Sequence, residues 1–331
     1  MQPRTLFSFF SLIACAALAA CQSSPPQPAA AVNYRHQGAG GTQYLGGGNS
    51  FAPPQYAPPP TAPAPPAASA GFPASPMPGA SGAAPFPSSA PAIYADSAIM
   101  IDARTGRTLY QKNAEESRAP ASTQKLLTAL IIAEEGNLSR QLTVAYADTR
   151  VEPSKLYLKS GHRYARRDLL VPMMIKSAND AAMALARDNA GSIPAFSAKM
   201  NRRARELGAM RSHFANPHGL TVSGQYSNAR DMARIAFRAY QNPVIRQAAA
   251  TREMTFRHAD GRATRVESTN KLLERLPGCT GLKTGYTSAA GRCLVSTMRS
   301  GGREVLLVQL GTKTKYIWDD AERMMRWGLT R

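Results

Sequence analysis

Ser122-Thr123-Gln124-Lys125, Ser177-Ala178-Asn179 and Lys283-Thr284-Gly285 occur in that order along the chain. Together they hold the parts of one acyl-transfer chemistry. A serine hydroxyl is a weak nucleophile until a base takes its proton. A lysine serves as that base only when its amine is neutral, and burial or a neighbouring cation lowers its pKa towards that state. Ser122 and Lys125 are three residues apart, which places them on one face of a helix, one turn apart. Lys283 is the candidate for the neighbouring cation. The N-terminus of that helix adds partial positive charge for an oxyanion. Ser177 offers a hydroxyl that can pass a proton to a leaving group, and Asn179 an amide that can hold a substrate. Lys283, as a point charge, and Thr284 offer a seat for a substrate carboxylate. Gly285 leaves a strand open to a second backbone, so a peptide can add along that edge. Taken singly, each string also has a purely structural reading. Ser-x-x-Lys pairs arise by chance, and Ser177 or Asn179 serves equally as an N-cap ahead of Asp180. Gly285 is then an ordinary glycine near a strand end.

The three strings need a helix start, an inter-helix loop and a strand, and the pattern supplies them. Residues 97–101 and 107–110 read as strands around hairpin chemistry at Asp102-Ala103-Arg104-Thr105-Gly106. Pro120 precedes a helix to about Glu135, with Leu126, Leu127, Leu130, Ile131 and Ala133 as its apolar face and Gly136-Asn137 ending it. Helices follow over 167–175, 180–188, 193–207 and 229–240, several of them parted by Gly and Asn-Pro breaks. The last third changes period. Residues 253–257 and 264–267 pair around Asp260-Gly261, and strands follow at 280–285, 292–298 and 304–310, with Gly301-Gly302 turning the last pair. A closing helix at about 317–327 offers Ile317, Met324, Met325 and Trp327 for burial. Two strands, a block of helices, an antiparallel run and a final helix make an α+β domain. No internal repeat is present.

The chain ends and composition set the context. Residues 1–20 combine Arg4, an apolar stretch over 6–14 and then small residues. That is the pattern of an export signal, too short and too promptly ended for a spanning helix. It closes with Leu18-Ala19-Ala20-Cys21. Residues 22–91 hold 17 of the 25 prolines, no acidic residue and no apolar periodicity, so they cannot bury a core. With Cys21 they read as a tether on the order of 50 Å end to end; a proline-rich ligand for a partner is the alternative. Residues 92–331 form the folded part, a length that suits one large domain. Residues from Asp96 onward carry +17 of the net charge of +19. A basic exported domain points to an anionic polymer or a phospholipid surface nearby. Export and the scatter of the arginines argue against nucleic acid. Cys279 and Cys293 flank Lys283-Thr284-Gly285, and an oxidising compartment admits either a disulfide between them or two buried thiols. His162, His213, His218 and His258 are scattered without metal-binding spacing, so neither a metal nor a cofactor is expected.

From about Ala92 onward the chain resembles the serine D-alanyl-D-alanine carboxypeptidases, the low-molecular-mass penicillin-binding proteins of peptidase family S11. The strings that carry the likeness are Ala119-Pro120-Ala121-Ser122-Thr123-Gln124-Lys125, Lys176-Ser177-Ala178-Asn179-Asp180-Ala181, Asn216-Pro217-His218-Gly219-Leu220 and Gly281-Leu282-Lys283-Thr284-Gly285-Tyr286-Thr287. The resemblance implies a β-lactamase/DD-transpeptidase-like fold, an antiparallel sheet flanked by helices with a helical subdomain. It also implies roles. Ser122 is acylated by the penultimate D-Ala of a peptidoglycan stem peptide, with Lys125 as general base. Ser177 helps protonate the departing D-Ala, and Asn179 orients the substrate. Lys283 holds the charge network and, with Thr284, recognises the terminal carboxylate. The N–H groups of Ser122 and Tyr286 form the oxyanion hole, and β-lactams trap Ser122. Leu18-Ala19-Ala20-Cys21 resembles a bacterial lipobox, which implies an acylated Cys21 and an exported, lipid-anchored protein facing the periplasm. Gln22 fits outer-membrane sorting where the cell has that membrane. An ordinary signal with an incidental cysteine is the alternative.

The chain also departs from the pattern. It runs only about 45 residues past Gly285, so neither a second β-rich domain nor a C-terminal amphipathic anchor is expected. Thr312-Lys313-Thr314-Lys315 stands where some members place an arginine for the substrate carboxylate. A class A β-lactamase requires a Glu with an Asn close behind after the Ser-x-Asn string, and Glu206 has none. D,D-endopeptidases share all three strings. A non-catalytic wall-binding lipoprotein is set against by the intact Ser122 and Lys125.

Overall fold

An unbroken apolar run suits a strand buried on both faces, and Ala98-Ile99-Met100-Ile101 is such a run in β1 (Ser97–Asp102). The computed structural model describes residues 90–331. The export signal, Cys21 and the tether lie outside the described residues. β1 leads into β2 (Thr108–Lys112), then a 3-10 turn (Ala121–Gln124), α1 (Lys125–Glu135) and β3 (Gln141–Thr143). A second 3-10 turn (Tyr146–Arg150) precedes β4 (Arg163–Ala165), α2 (Arg166–Ile175), α3 (Asn179–Ala190) and α4 (Ile193–Glu206). There follow α5 (Ala229–Gln241), α6 (Pro243–Ala250), the hairpin of β5 (Glu253–Arg257) and β6 (Ala263–Glu267), and the single turn α7 (Leu272–Arg275). The chain closes with β7 (Cys279–Thr287), β8 (Gly291–Ser300), β9 (Arg303–Thr312) and α8 (Ile317–Gly328).

Five strands make one antiparallel sheet in the order β2-β1-β9-β8-β7. β9 returns beside β1, so the two ends of the domain meet at the centre of the sheet. β7 lies at an edge, where one side of its backbone is left for another chain. The two faces bury different clusters. Met100, Leu294 and Leu307 pack with Ile317, Met324, Met325 and Trp327 of α8. Ile99, Ile101, Val295 and Val308 pack with α1, α5 and the other helices. α1 is buried nearly all round, from Leu126 to Ile132, which marks a helix at the centre of a core. This is the expected α+β arrangement, a sheet with helices on both faces and a helical subdomain.

Three expectations need correction. Residues 121–124 form a 3-10 turn ahead of α1 instead of its first turn. The apolar face expected for that helix is too narrow, since Thr128, Ala129 and Ile132 are buried as well. The Asn-Pro break at 242–243 also starts a helix: Asn242 caps α6 by accepting from Val244 N, and Pro243 occupies its first position, where its missing N–H costs nothing. β3 and β4 were not expected, being three residues each with only a few apolar side chains to announce them. Cys279 and Cys293 are free thiols. Cys279 pairs across the ladder with Met298 and Cys293 with Gly285, and burial pushes both thiols up, Cys293 to about 11.

Candidate active site

Ser122 sits in the 3-10 turn, held between two close backbone approaches. A Cβ on Gly285 of β7 would lie 2.9 Å from the Ser122 nitrogen and 3.0 Å from Ala121 Cβ. Gly219 has φ +92°, and a Cβ there would overlap the Ala121 carbonyl. Ala121 itself adopts φ +46°, a left-handed conformation that costs a non-glycine residue about 1 kcal/mol or more. Strain and glycine packing together fix the nucleophile's turn against the edge strand. The Ser122 N–H lies in the first turn, where helix geometry supplies no acceptor.

Lys125 is fully buried. Its Nζ lies 2.9 Å from Ser122 Oγ, 2.7 Å from Asn179 Oδ1 and 2.6 Å from the His218 carbonyl oxygen. Burial, and next the charge of Lys283, hold its pKa well below the ordinary lysine value, while Asp180 opposes them. A neutral amine has two N–H donors and one lone pair. Asn179 Oδ1 and the His218 carbonyl are acceptors only, so they take the two N–H groups. The lone pair is left for the Ser122 hydroxyl. The Asn179 amide is oriented by its other end, where Nδ2 donates to Pro153 O at 2.6 Å. The His218 carbonyl is set by a cradle: Asn216 Oδ1 accepts from the N–H groups of His218 and Gly219, and Thr128 Oγ1 donates to Pro217 O. The His218 ring accepts from Leu220 N and is pushed down to about 3 by burial, so it stays neutral.

Asn179 opens α3 instead of standing in the loop before it, and the N-cap reading of this string fails. The cap residue is Ala178, whose side chain cannot cap, and the side-chain bond at that end comes from Asp180, whose Oδ1 accepts from Ala181 N. Ser177 is buried at φ +66°, and its Oγ has no hydrogen-bond partner among the described residues. A buried, unpartnered hydroxyl in a strained conformation is uncommon in a merely structural serine. Asp180, fully buried, accepts from the N–H groups of Leu156 and Leu158. That carboxylate, with Asn179 N donating to Ser154 O, fastens the 153–158 segment to the start of α3.

On β7, Lys283 is 1% exposed and donates to Thr284 O at 3.0 Å. Burial lowers its pKa to about 7. Thr284 Oγ1 lies 2.6 Å from Thr269 Oγ1. Ser122, Ser177, Asn179, Thr284, Gly285 and Tyr286 line one cleft. The structure therefore brings all of the expected site residues of the domain together. Lys125 and Lys283 lie beneath that cleft rather than on its wall. Among the described residues no group of three or more His, Cys, Asp or Glu is placed to hold a metal ion.

The family model of the D-alanyl-D-alanine carboxypeptidases, peptidase family S11, matches residues 84–314. The chain belongs to this family. Its sequence is 35% identical to the Bacillus subtilis D-alanyl-D-alanine carboxypeptidase DacF over 225 residues, 66% of this chain and 58% of that protein. It is 32% identical to the Escherichia coli D-alanyl-D-alanine endopeptidase over 261 residues, 77% of this chain and 84% of that protein. The crystal structure of a D-alanyl-D-alanine carboxypeptidase from Mycobacterium tuberculosis superposes with a TM-score of 0.70 at 33% identity, covering 73% of this chain and 93% of that one. The chain thus spans little more than half of the Bacillus relative and nearly all of the Mycobacterium fold.

Two parts of this candidate site are not announced by side-chain chemistry in the sequence. Asn216-Pro217-His218-Gly219-Leu220 was visible as a string, but its working atom is a backbone carbonyl, which no side-chain chemistry announces. Asp180 reads in the sequence as a first-turn helix residue, and its hold on Leu156 and Leu158 spans more than twenty positions.

Proposed function

We propose that the chain is a serine D-alanyl-D-alanine carboxypeptidase acting on peptidoglycan stem peptides through an acyl-enzyme on Ser122. The observation that carries this reading is the Lys125 amine, buried, with two acceptors on its N–H groups and its remaining position on Ser122 Oγ. The Lys125 lone pair takes the hydroxyl proton as Ser122 Oγ attacks the penultimate D-Ala carbonyl carbon. The resulting oxyanion meets the N–H groups of Ser122 and Tyr286; one such donor typically contributes about 10²–10³ in rate. The intermediate collapses, the C–N bond breaks, and the proton on Lys125 passes by way of the Ser177 hydroxyl to the departing D-Ala nitrogen. Water, deprotonated by Lys125, then cleaves the ester and restores Ser122. Burial, and next the charged form of Lys283, favour the neutral Lys125 amine, and Thr284 receives the terminal carboxylate. Asn179 holds the substrate's amide while it aligns Lys125. β-Lactams place their ring carbonyl in the same position and stay bound as the ester.

Fluorescent penicillin labels the wild-type protein under this reading, and Ser122→Ala abolishes the label. A well-folded wild type that takes no label sinks it. The match to an endopeptidase over most of both chains supports a second reading, cleavage of D-Ala cross-links by the same machinery. Incubation with a pentapeptide monomer and with a cross-linked dimer separates the two: release of free D-Ala from the monomer is expected, and cutting of the dimer alone transfers the function to the endopeptidase. Export and acylation of Cys21, with the domain on a lipid-anchored tether, complete the proposal; they are supported by the 1–21 pattern and the proline-rich composition of 22–91.

A further inference from the structure

The cleft is lined by two basic residues, Lys176 and Arg292, and by no carboxylate. Lys176 stands on the wall with Ser177 and Asn179. Arg292 stands on the other, on β8, directly across the ladder from Tyr286. Its guanidinium lies over the Tyr286 ring, 4.5 Å from the centroid. Its Nε donates to Thr314 Oγ1 at 3.0 Å. Stacking and one hydrogen bond orient the group and leave both terminal nitrogens without an acceptor among the described residues. A fixed, half-buried guanidinium with free N–H groups and no acidic neighbour is built to receive a planar anion.

The direction of the substrate decides which anion. On the acyl-enzyme reading, on which this inference rests, Thr284 takes the terminal carboxylate and Ser122 attacks beside Gly285. Residues of β7 before Gly285 therefore flank the leaving D-Ala, and those after it flank the acyl donor. A peptide added to the β7 edge advances about 3.3 Å per residue. One step past the attacked D-Ala brings the third residue of the stem to the Tyr286–Arg292 pair. We propose that Arg292 is a specificity-determining residue that reads a free carboxylate on that third residue.

The test uses the full chain and three synthetic stem peptides ending in D-Ala-D-Ala. One has a free side-chain carboxylate at the third residue, one has that carboxylate amidated, and one keeps it free but ends in a C-terminal amide. Release of the terminal residue gives kcat/KM for each. Wild type prefers the free side-chain acid over its amide about tenfold, the scale of one charge-assisted pair. Arg292→Gln abolishes that preference, and Arg292→Lys keeps part of it. The penalty for the C-terminal amide persists in both variants. The proposal is overturned if wild type shows no side-chain preference or if Arg292→Gln keeps it. It is equally overturned if the variant loses the same factor on all three peptides, or if it erases the C-terminal penalty instead, which assigns Arg292 to the terminal carboxylate. Absence of penicillin labelling in wild type fails the acyl-enzyme reading itself, and this proposal with it.

Discussion

Lys125 makes three contacts, and their chemistry fixes what it can do. Two partners are acceptors and the third is a hydroxyl, so the charge state of the amine decides whether Ser122 is a donor or an acceptor. Protonated, Lys125 gives a third N–H to Ser122 and blocks it; neutral, it withdraws the proton. The sign of the Lys283 effect follows. A cation nearby favours the neutral amine, and Lys283 lowers the Lys125 pKa by its charge. Lys283→Gln removes that charge, so the Lys125 pKa rises. The acid limb of penicillin acylation then moves to higher pH, and the rate at pH 7 falls by about 10². A stopped-flow pH profile of acylation measures this. An unmoved limb in a folded variant excludes Lys283 as the charge that tunes Lys125. Ser122 and Lys125 were legible because a nucleophile and its base must be side chains at a fixed spacing. The His218 carbonyl was not, because every residue has one and only the fold aims it.

At the scale of elements, the site is a contact between an edge strand and a strained turn. β7 passes so close to the 3-10 turn that a Cβ at Gly285 meets backbone, not the movable tip of a side chain. Gly285→Val must therefore shift the turn or the strand. Overpacking of this kind costs about 1–3 kcal/mol, and a displacement of about 1 Å costs about 10² in rate. Thermal melting and penicillin acylation are expected to fall together by those amounts, with kcat/KM on stem peptide following acylation. Full acylation with an unchanged Tm contradicts the close approach. The long elements were readable beforehand, β8, β9, α5 and α8 from periodicity and β1 from its apolar run. The short ones were not. β3, β4 and α7 bury few side chains and owe their existence to the helices and the sheet around them, and tertiary packing leaves no period in a three-residue strand. The N-cap reading of Ser177 or Asn179 was sound local chemistry, overruled because Asn179 is held by Lys125 and Pro153 instead.

At the scale of the molecule, the proposed function assigns catalysis to the described domain and attachment to the segment before it. Both hydrophobic clusters lie against the same five-stranded sheet, one on each face. Neither face can lose its cover without exposing the other side of the same strands, so the domain is expected to unfold as one cooperative unit. The side chains of the acyl-transfer cleft named above lie between Ser122 and Arg292, inside that unit. A fragment of residues 90–331 therefore shows a single melting transition and takes penicillin at the rate of the full chain. On the proposed function, the proline-rich segment and Cys21 contribute location only. In cells, the full chain fractionates with membranes and Cys21→Ser leaves it in the soluble fraction, both labelled by penicillin with equal rate constants. Membrane fractionation that survives Cys21→Ser places the anchor elsewhere. A fragment that melts in two steps, or acylates tenfold more slowly than the full chain, means that residues before 90 support the site, and the division between reach and chemistry then fails.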